Sequence, residues 1–335
     1  MTNPFKTFNI SLDYVKPSAS ALKLAKEYNF PPHLVERYVK MLGHSDAKAL
    51  LDTVGKGLKK AIRCNKLKID CKHLKQRLEK KNIVLKEVNF IDYGFWLLKG
   101  EDRIGHILEY LYGFYYIQNP ASMLPPYILA PTPEDVVLDM CAAPGGKTTH
   151  LAEIMKNKGI ILAVDVSREK MKTLRSHLSR MGVENVIAVR MDVREIRKLR
   201  NTFTKVLLDA PCSGEGLIPI DPENVREREI KDFYTMASKQ LEMLKIAYEV
   251  VKEGGEIVYS TCSIAPEENE FVINEMLNLF KDKILVEEPK VKAGMHGYTE
   301  VFNVKLHADL RKCIRLYPHK HGTEGFFMCK LRKIG

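Results

Sequence analysis

Residues 136–148, VVLDMCAAPGGKT, constrain the fold more than any other stretch. Val136 to Met140 is apolar but for one acid, and a turn with Pro144, Gly145 and Gly146 follows; Lys147, Thr148 and the helical pattern LAEIMK come next. A short apolar strand that closes in a Gly-rich turn and enters a helix is how an open α/β sheet begins a nucleotide-type site. Glycine lets the backbone approach a ligand, and the N–H groups that open the helix favour its polar or anionic parts. The turn alone does not fix the ligand. The dinucleotide pattern G-x-G-x-x-G is absent, and a P-loop would need Gly where Cys141 stands. VLLD at 206–209 could pass for the acid-tipped strand of a P-loop enzyme, so an ATPase stays open at this point.

From 136 onward, apolar runs alternate with helical patterns. Strands are expected at 136–140, 160–165, 186–191, 205–209 and 256–260, and helices at 148–157, 168–181, 228–252 and 267–280. That rhythm specifies an α/β chain with a doubly wound parallel sheet. Shorter strands, among them FFMCKL at 326–331, complete the tail. Upstream, Pro31 and Pro32 start a helix that Gly43 ends, and a second helix covers roughly 45–54. Residues 60–98 mix strand alternation with the amphipathic helix CKHLKQRLEKK, which describes a small α+β unit. Pro120, Pro125 and Pro126 keep the aromatic connector 104–133 from forming one long helix. The expected division is a helical segment at 1–58, a basic α+β domain at 59–103 and the main sheet domain at 104–335.

Charge is concentrated in one place. Residues 59–86 hold eleven Lys and Arg against Asp70 and Glu79, within a chain of formal net charge +11. A solvated helix face is the plain reading, but so much charge in so short a stretch also suits a polyanion such as nucleic acid. No apolar run approaches the ~20 residues of a membrane helix, and the N-terminus lacks the pattern of a secretory signal. Seven cysteines, none spaced C-x-x-C, suggest reduced thiols in a cytoplasmic protein without a metal knuckle.

Three acids end successive strands: Asp165, Asp192 and Asp209. Ligands of open α/β sheets bind outside the carboxyl ends of the strands, so these side chains should converge on the Gly-rich turn. An acid after the second strand suits ribose hydroxyls, and one after the third suits an adenine amino group. Each could instead be a helix N-cap. Two cysteines stand just past neighbouring strand ends, Cys212 in DAPCSG and Cys262 in STCS. Thiols at a rim, one of them three residues after an acid, fit nucleophilic chemistry. A phosphate-hydrolysing enzyme needs neither, which demotes the ATPase.

Together, CAAPGGKT at 141–148, DAPCSG at 209–214, VYSTCSIAPEENE at 258–270 and YPHKHGTEGFF at 317–327 resemble the RsmB/Sun family of RNA (cytosine-5) methyltransferases. QNPASMLPP at 118–126 resembles the family's segment before the cofactor strand, and 59–98 its small RNA-binding domain. The resemblance implies a Rossmann-like S-adenosylmethionine-dependent methyltransferase sheet. It implies that Cys141, Ala142, Ala143, Pro144, Gly145, Gly146 and Lys147 wrap the cofactor, that Asp165 holds the ribose and that Asp192 holds the adenine. It makes Cys262 the nucleophile, Cys212 the thiol that aids release, and Asp209 and Lys147 the grip on cytosine. Lys170 is expected either to reach the cofactor or to be a solvated helix lysine. His319 and His321 are candidates to line the site, and Arg168 is expected on the surface.

The chemistry needs these residue types. Carbon 5 of cytosine is a weak nucleophile until a thiolate adds at carbon 6. Ring nitrogen 3 is an acceptor, so either Asp209 carries a proton or the cytosine is protonated beside an ionised Asp209. The base must leave its stack to be reached. The expected substrate is tRNA before rRNA, and the expected state a monomer. Competing readings are a non-catalytic RNA-binding or ribosome-assembly protein and a DNA cytosine methyltransferase, an enzyme that uses the cysteine of the fourth-strand motif. Thr204, where relatives commonly have Asp, reads as structural. Pro219 and Ile220 replace basic residues in the loop after Cys212. Substrate selection is expected to rest on the N-terminal part and the catalytic face.

Overall fold

The computed structural model describes Phe5 and residues 15–335. Three helices lead: α1 (Ala19–Tyr28), α2 (Pro32–Leu42) and α3 (His44–Leu51). Pro32 opens α2 at the position where its missing N–H costs nothing, and Gly43 at φ 79° ends it. Next come β1 (Ala61–Cys64), α4 (Cys71–Glu79), β2 (Val84–Val88), β3 (Ile91–Lys99), α5 (Leu108–Leu111), β4 (Tyr115–Ile117) and α6 (Pro120–Leu129). The four strands form an antiparallel sheet in the order β2-β3-β1-β4. It runs past residue 103, taking its last strand from the connector.

One expectation fails in this region, and another holds for a different reason. Cys64 and Cys71 are disulfide-bonded, not reduced, because the turn at 65–70 returns the start of α4 to the end of β1 with Cα atoms 5.8 Å apart. The connector 104–133 is not one long helix, as expected, but only Pro120 marks a boundary, at the start of α6, while Pro125 and Pro126 lie inside that helix. Pro126 cannot bond the Ser122 carbonyl, and the Gln118 side-chain amide donates to that carbonyl instead, at 3.0 Å.

The larger unit runs β5 (Val136–Asp139), α7 (Gly146–Ile154), β6 (Ile160–Asp165), α8 (Arg168–Met181), β7 (Val186–Arg190), β8 (Phe203–Asp209), α9 (Pro222–Arg226), α10 (Ile230–Val250), β9 (Val251–Thr261), α11 (Glu270–Phe280), β10 (Ile284–Glu287), β11 (Met295–His296), β12 (Glu300–Val301), β13 (Val304–Lys305), β14 (Ile314–Leu316), α12 (Pro318–His321) and β15 (Phe326–Lys333). Five strands, in the order β7-β6-β5-β8-β9, are parallel. β15 then pairs antiparallel with β9, and β14 and β10 share its other edge. The sheet is thus mixed, not wholly parallel. β9 begins directly after α10, ahead of the expected start at 256, because a bulge opposite Phe203–Lys205 absorbs the extra residues, Gly254 and Gly255 among them.

Both faces of this sheet are covered, and alternation along the strands assigns them. Leu138, Val206, Leu208, Ile257, Tyr259 and Phe327 enter the core shared with α1–α3, α10 and α11. Val137, Leu207, Val258, Phe326 and Met328 face the core shared with α6, α7 and the small sheet. Among the described residues no helix is long and apolar enough to cross a membrane.

Candidate active site

β5 has β6 on one side and β8 on the other, so the strand order reverses beside it, where open α/β sheets bind ligands. Asp139, Asp165 and Asp209 are the last residues of β5, β6 and β8. Asp139 is an acid to which the sequence reading gave no role. It is buried, its Oδ2 accepts from Thr148 Oγ1 at 2.8 Å, and its Oδ1 has no partner. Burial pushes its carboxyl up to about 7. Asp165 joins the Gly-rich turn through Ala143 N to Oδ2 at 3.3 Å, and its Oδ1 accepts from Ser167 N at 2.9 Å.

The turn itself differs in detail from expectation. Gly145 has φ +108° and packs on α8, where a Cβ would sit 2.7 Å from Leu174 Cδ1. A Cβ on Gly146 would sit 3.3 Å from the Tyr116 ring. Both glycines therefore serve the approach of protein to protein. Ala142 is buried, Ala143 half-buried and Pro144 exposed, its carbonyl 2.8 Å from His177 Nδ1. The half-buried Cys141 thiol is pushed well up by burial and then by Asp139, Asp209 and Asp165, which places three carboxylates around it.

Lys147, in the first turn of α7, reaches Asp209 Oδ2 at 2.7 Å, and Ser260 Oγ donates to Asp209 Oδ1 at 2.7 Å. Burial works against the ammonium, but Asp209 overrides it and raises the amine, with Glu324 and Cys262 adding to the effect. Asp209 lies opposite Ser260 in the β8–β9 ladder, so the loops that follow the two strands run side by side. Their half-buried sulfurs, Cys212 Sγ and Cys262 Sγ, are 3.1 Å apart. The bond to Cys262, and burial after it, hold the Cys212 thiol well above its ordinary value.

Buried Glu268 clamps the two thiol loops. Its Oε2 accepts from Ser213 N at 2.8 Å and Gln240 Nε2 at 2.9 Å; its Oε1 accepts from Ser263 Oγ at 2.8 Å and from Ser213 Oγ. Ser213 and Ser263 are the residues next to the two cysteines. A third loop joins through Gly216, whose N–H donates to Cys262 O at 3.0 Å and whose carbonyl accepts from Gly325 N at 2.8 Å. Glu324, beside Gly325, is buried, bonded by Ser122 Oγ and close enough to Lys147 and Asp209 to feel both charges.

Other candidates have partners of their own or are exposed. Asp192 caps the turn at 193–198, with Oδ1 accepting from Arg194 N at 2.9 Å, and the Arg194 guanidinium grips the carboxylate and holds it down at about 2. The N-cap alternative is therefore realised there. Lys170 and Arg168 are exposed on α8. His321 Nδ1 accepts from Tyr317 N at 2.9 Å and caps its own turn, and His319 packs on the Tyr317 ring. Thr204 is structural, its Oγ1 donating to Asp135 Oδ1 at 2.7 Å and accepting from Val136 N at 3.0 Å.

The basic stretch is also less exposed than its composition implies. Arg63 is buried and reaches across to the larger unit: Glu153 Oε2 at 3.2 Å, Gly146 O at 2.8 Å, Thr149 Oγ1 at 2.9 Å and Gln118 Oε1. Lys68 binds the Tyr112 and Arg180 carbonyls, and Arg77 and Lys81 pair with buried Glu109.

Comparison with known proteins gives a consistent picture. Residues 126–332 match the 16S rRNA methyltransferase RsmB/F family, and residues 30–120 match the N-terminal domain of 16S rRNA methyltransferase RsmF. The chain is 36% identical over 321 residues to the human 28S rRNA (cytosine(4447)-C(5))-methyltransferase, covering 93% of itself and 39% of that protein. It is 36% identical over 304 residues to the tRNA (cytosine(49)-C(5))-methyltransferase of Pyrococcus abyssi, covering 90% of itself and 95% of that protein. The chain spans 39–51% of the length of the human, mouse, fission-yeast and nematode relatives it matches. Among solved structures, a methyltransferase homolog protein from Pyrococcus horikoshii superposes with a TM-score of 0.86 at 38% identity, covering 95% of this chain and 100% of that one. NSun6 from Pyrococcus horikoshii with SFG superposes at 0.81 and 26% identity, covering 91% and 99%.

Proposed function

The chain belongs to the RsmB/F methyltransferase family, and from that premise we propose that it methylates carbon 5 of cytosine in RNA with S-adenosylmethionine as methyl donor. The observation that carries the reading is the pair of thiols 3.1 Å apart beside the Lys147–Asp209 ion pair.

The residues around the turn suit that donor. S-adenosylmethionine carries a sulfonium and an ammonium cation, and the turn is ringed by Asp139, Asp165 and Asp209 with an unpartnered Asp139 oxygen buried among them. A nucleoside triphosphate would bring anions to the same carboxylates while Lys147 is engaged by Asp209, which counts against an ATPase. Asp165 would take the ribose. Asp192 keeps one lone pair on Oδ2 for an adenine amino group after its bonds to Arg194. The cofactor supplies an electrophilic methyl group.

The chain's own residues do the rest. The Cys262 thiolate adds to carbon 6 of an extruded cytosine, nitrogen 3 takes up a proton, and carbon 5 becomes nucleophilic enough to accept the methyl. Both Asp209 oxygens already accept hydrogen bonds, so Asp209 serves as the acceptor for a cytosine protonated at nitrogen 3. Lys147 is placed to donate to the ring carbonyl. When the carbon 5 proton leaves, the electron pair re-forms the ring double bond and expels Cys262. Cys212, whose sulfur lies 3.1 Å from that of Cys262, is placed to take that proton as a thiolate.

We favour tRNA as substrate because a relative matched over nearly its whole length is named as a tRNA enzyme, whereas the chain covers only 39–51% of the eukaryotic rRNA relatives. The match of 30–120 to a 16S rRNA enzyme domain supports rRNA as the second reading. The test is transfer of tritiated methyl groups into separated tRNA and rRNA, with adducts resolved on denaturing gels. Cys262→Ala should show neither label nor adduct. Cys212→Ala should accumulate adduct and release it slowly. An unlabelled RNA pool with wild-type protein refutes the activity, and opposite behaviour of the two variants reverses the thiol roles.

A further inference from the structure

We propose a second RNA subsite, a cleft of about 390 Å³ between the small sheet and the turn at 318–322, that holds an unpaired nucleotide flanking the target cytosine. Its base would stack on Trp96 while Lys59 and Lys86 meet its phosphates. The proposal rests on the RNA methyltransferase reading and adds to it the place where a neighbouring nucleotide binds.

The strand pleat creates the platform. Along β3, Tyr93, Phe95 and Leu97 point into the small-sheet core, so Trp96 and Leu98 point the other way. Trp96 lies directly opposite Lys86 of β2 on one side and Ala61 of β1 on the other. Its ring is half-buried, and Leu98 beside it is 53% exposed. The indole packs in part against the small-sheet core and gives the rest of its surface to the cleft. Tyr93, on the inward face, carries the Lys66 ammonium 3.8 Å over its ring, but among the described residues no cation covers the Trp96 ring.

The cleft's charge has one sign. Lys56, Lys59 and Lys86 line it with His321, and no carboxylate does. Lys59 and Lys86 make no ion pair among the described residues, unlike Arg63, Arg77 and Lys81 of the same basic stretch. An aromatic face flanked by unpaired lysines is how single-stranded nucleic acid is held without reading its sequence. The volume is within the range of small-ligand clefts, ~300–1,000 Å³.

Two walls lead directly to the active site. The Gly57 N–H donates to Pro219 O at 2.8 Å, tying the 53–58 wall to the loop that follows Cys212. His321 is three residues before Glu324, so their Cα atoms are at most ~11 Å apart, and Glu324 feels the charges of Lys147 and Asp209. A nucleotide in the cleft therefore lies within a few residues of RNA chain from the extruded base.

Trp96 is the single tryptophan, so its fluorescence reports on the cleft alone. Titrating the full chain with total tRNA, and separately with an oligouridylate of about eight nucleotides, should quench the emission at saturation. Trp96→Leu should weaken the RNA Kd by filter binding about five- to a hundred-fold and leave the S-adenosylmethionine Kd unaltered. Lys59→Ala with Lys86→Ala should lower the slope of log Kd against log salt by about 1.4. RNA that is bound and methylated with unchanged emission and an unchanged Trp96→Leu Kd overturns the subsite while leaving the activity standing. RNA that is neither bound nor methylated overturns both.

Discussion

Glu268 holds the two thiol loops together, and replacing it gives a quantitative test of that role. Its oxygens accept four hydrogen bonds, two from groups that can only donate: the Ser213 N–H and the Gln240 amide. Glu268→Leu leaves those two buried donors without partners, at ~1–3 kcal/mol each, or about 2–6 kcal/mol in all. The Ser213 and Ser263 hydroxyls, 3.2 Å apart, can bond each other and add little. Glu268→Gln can aim its oxygen at the two obligate donors and its amide at the hydroxyls, which then accept, so at acid pH it costs at most about 1 kcal/mol. The variants should therefore differ by about 1–6 kcal/mol, which is about 1–9 °C in Tm at ~1.4 °C per kcal/mol for a chain of this length. Proton linkage adds a signature. Burial pushes the Glu268 carboxyl up to about 7 from an ordinary value of 4.5. The folded state then holds the proton more tightly, so wild-type stability falls between those values, by up to about 3 kcal/mol at ~1.4 kcal/mol per pH unit. Glu268→Gln has no such proton and should gain on wild type as pH rises from 5 to 8. Urea unfolding at both pH values measures this, and tritiated methyl transfer measures the effect on the thiols, with Glu268→Leu slow at unchanged cofactor affinity. A Leu variant within 1 kcal/mol of Gln and at full rate would refute the clamp.

Two further outcomes are expected. Arg63→Met strips buried Glu153 of its charged partner and the Gly146 carbonyl of a donor; unfolding free energy should fall by ~3–5 kcal/mol, and Arg63→Met with Glu153→Met should recover more than half of it. A double variant as unstable as the single one contradicts an interdomain ion pair. Gly216→Ala places a Cβ 2.1 Å from Gly325 O and 2.6 Å from Cys262 O, so the Cys262 loop must move; stability should drop by ~1–3 kcal/mol and adduct formation by roughly a hundredfold, as read on denaturing gels.

What the sequence made legible is local. A buried parallel strand is a short apolar run, and the residue at its carboxyl end is adjacent in the chain, so the strand-end acids Asp165 and Asp209 and the turn at 141–147 could be read together. Cys212 and Cys262 were readable for the same reason, each lying one to three residues past a strand. Their contact needed one more fact, that β8 and β9 are neighbours with Asp209 level with Ser260. The basic stretch shows what counting residues cannot do. Arg63 adds one charge to the sum, but β1 is buried on both faces, so its guanidinium serves the interior and only geometry distinguishes it from Lys86. Asp192 shows the converse. Its place after the third strand is right for a ligand, but Arg194, two residues on, offers it a nearer partner.

The residues that set the two sulfurs side by side were therefore the least visible in the sequence. Glu268 lies in a run of acids, EENE, where composition suggests a solvated surface; the chain instead buries it and gives it both serines that flank the thiols. Such a carboxylate is costly to bury and contributes stability only when every donor around it is in place. Loss of one thiol loop's position thus becomes loss of the other's, and this coupling suits the proposed reaction, which needs the two sulfurs side by side, as they are at 3.1 Å.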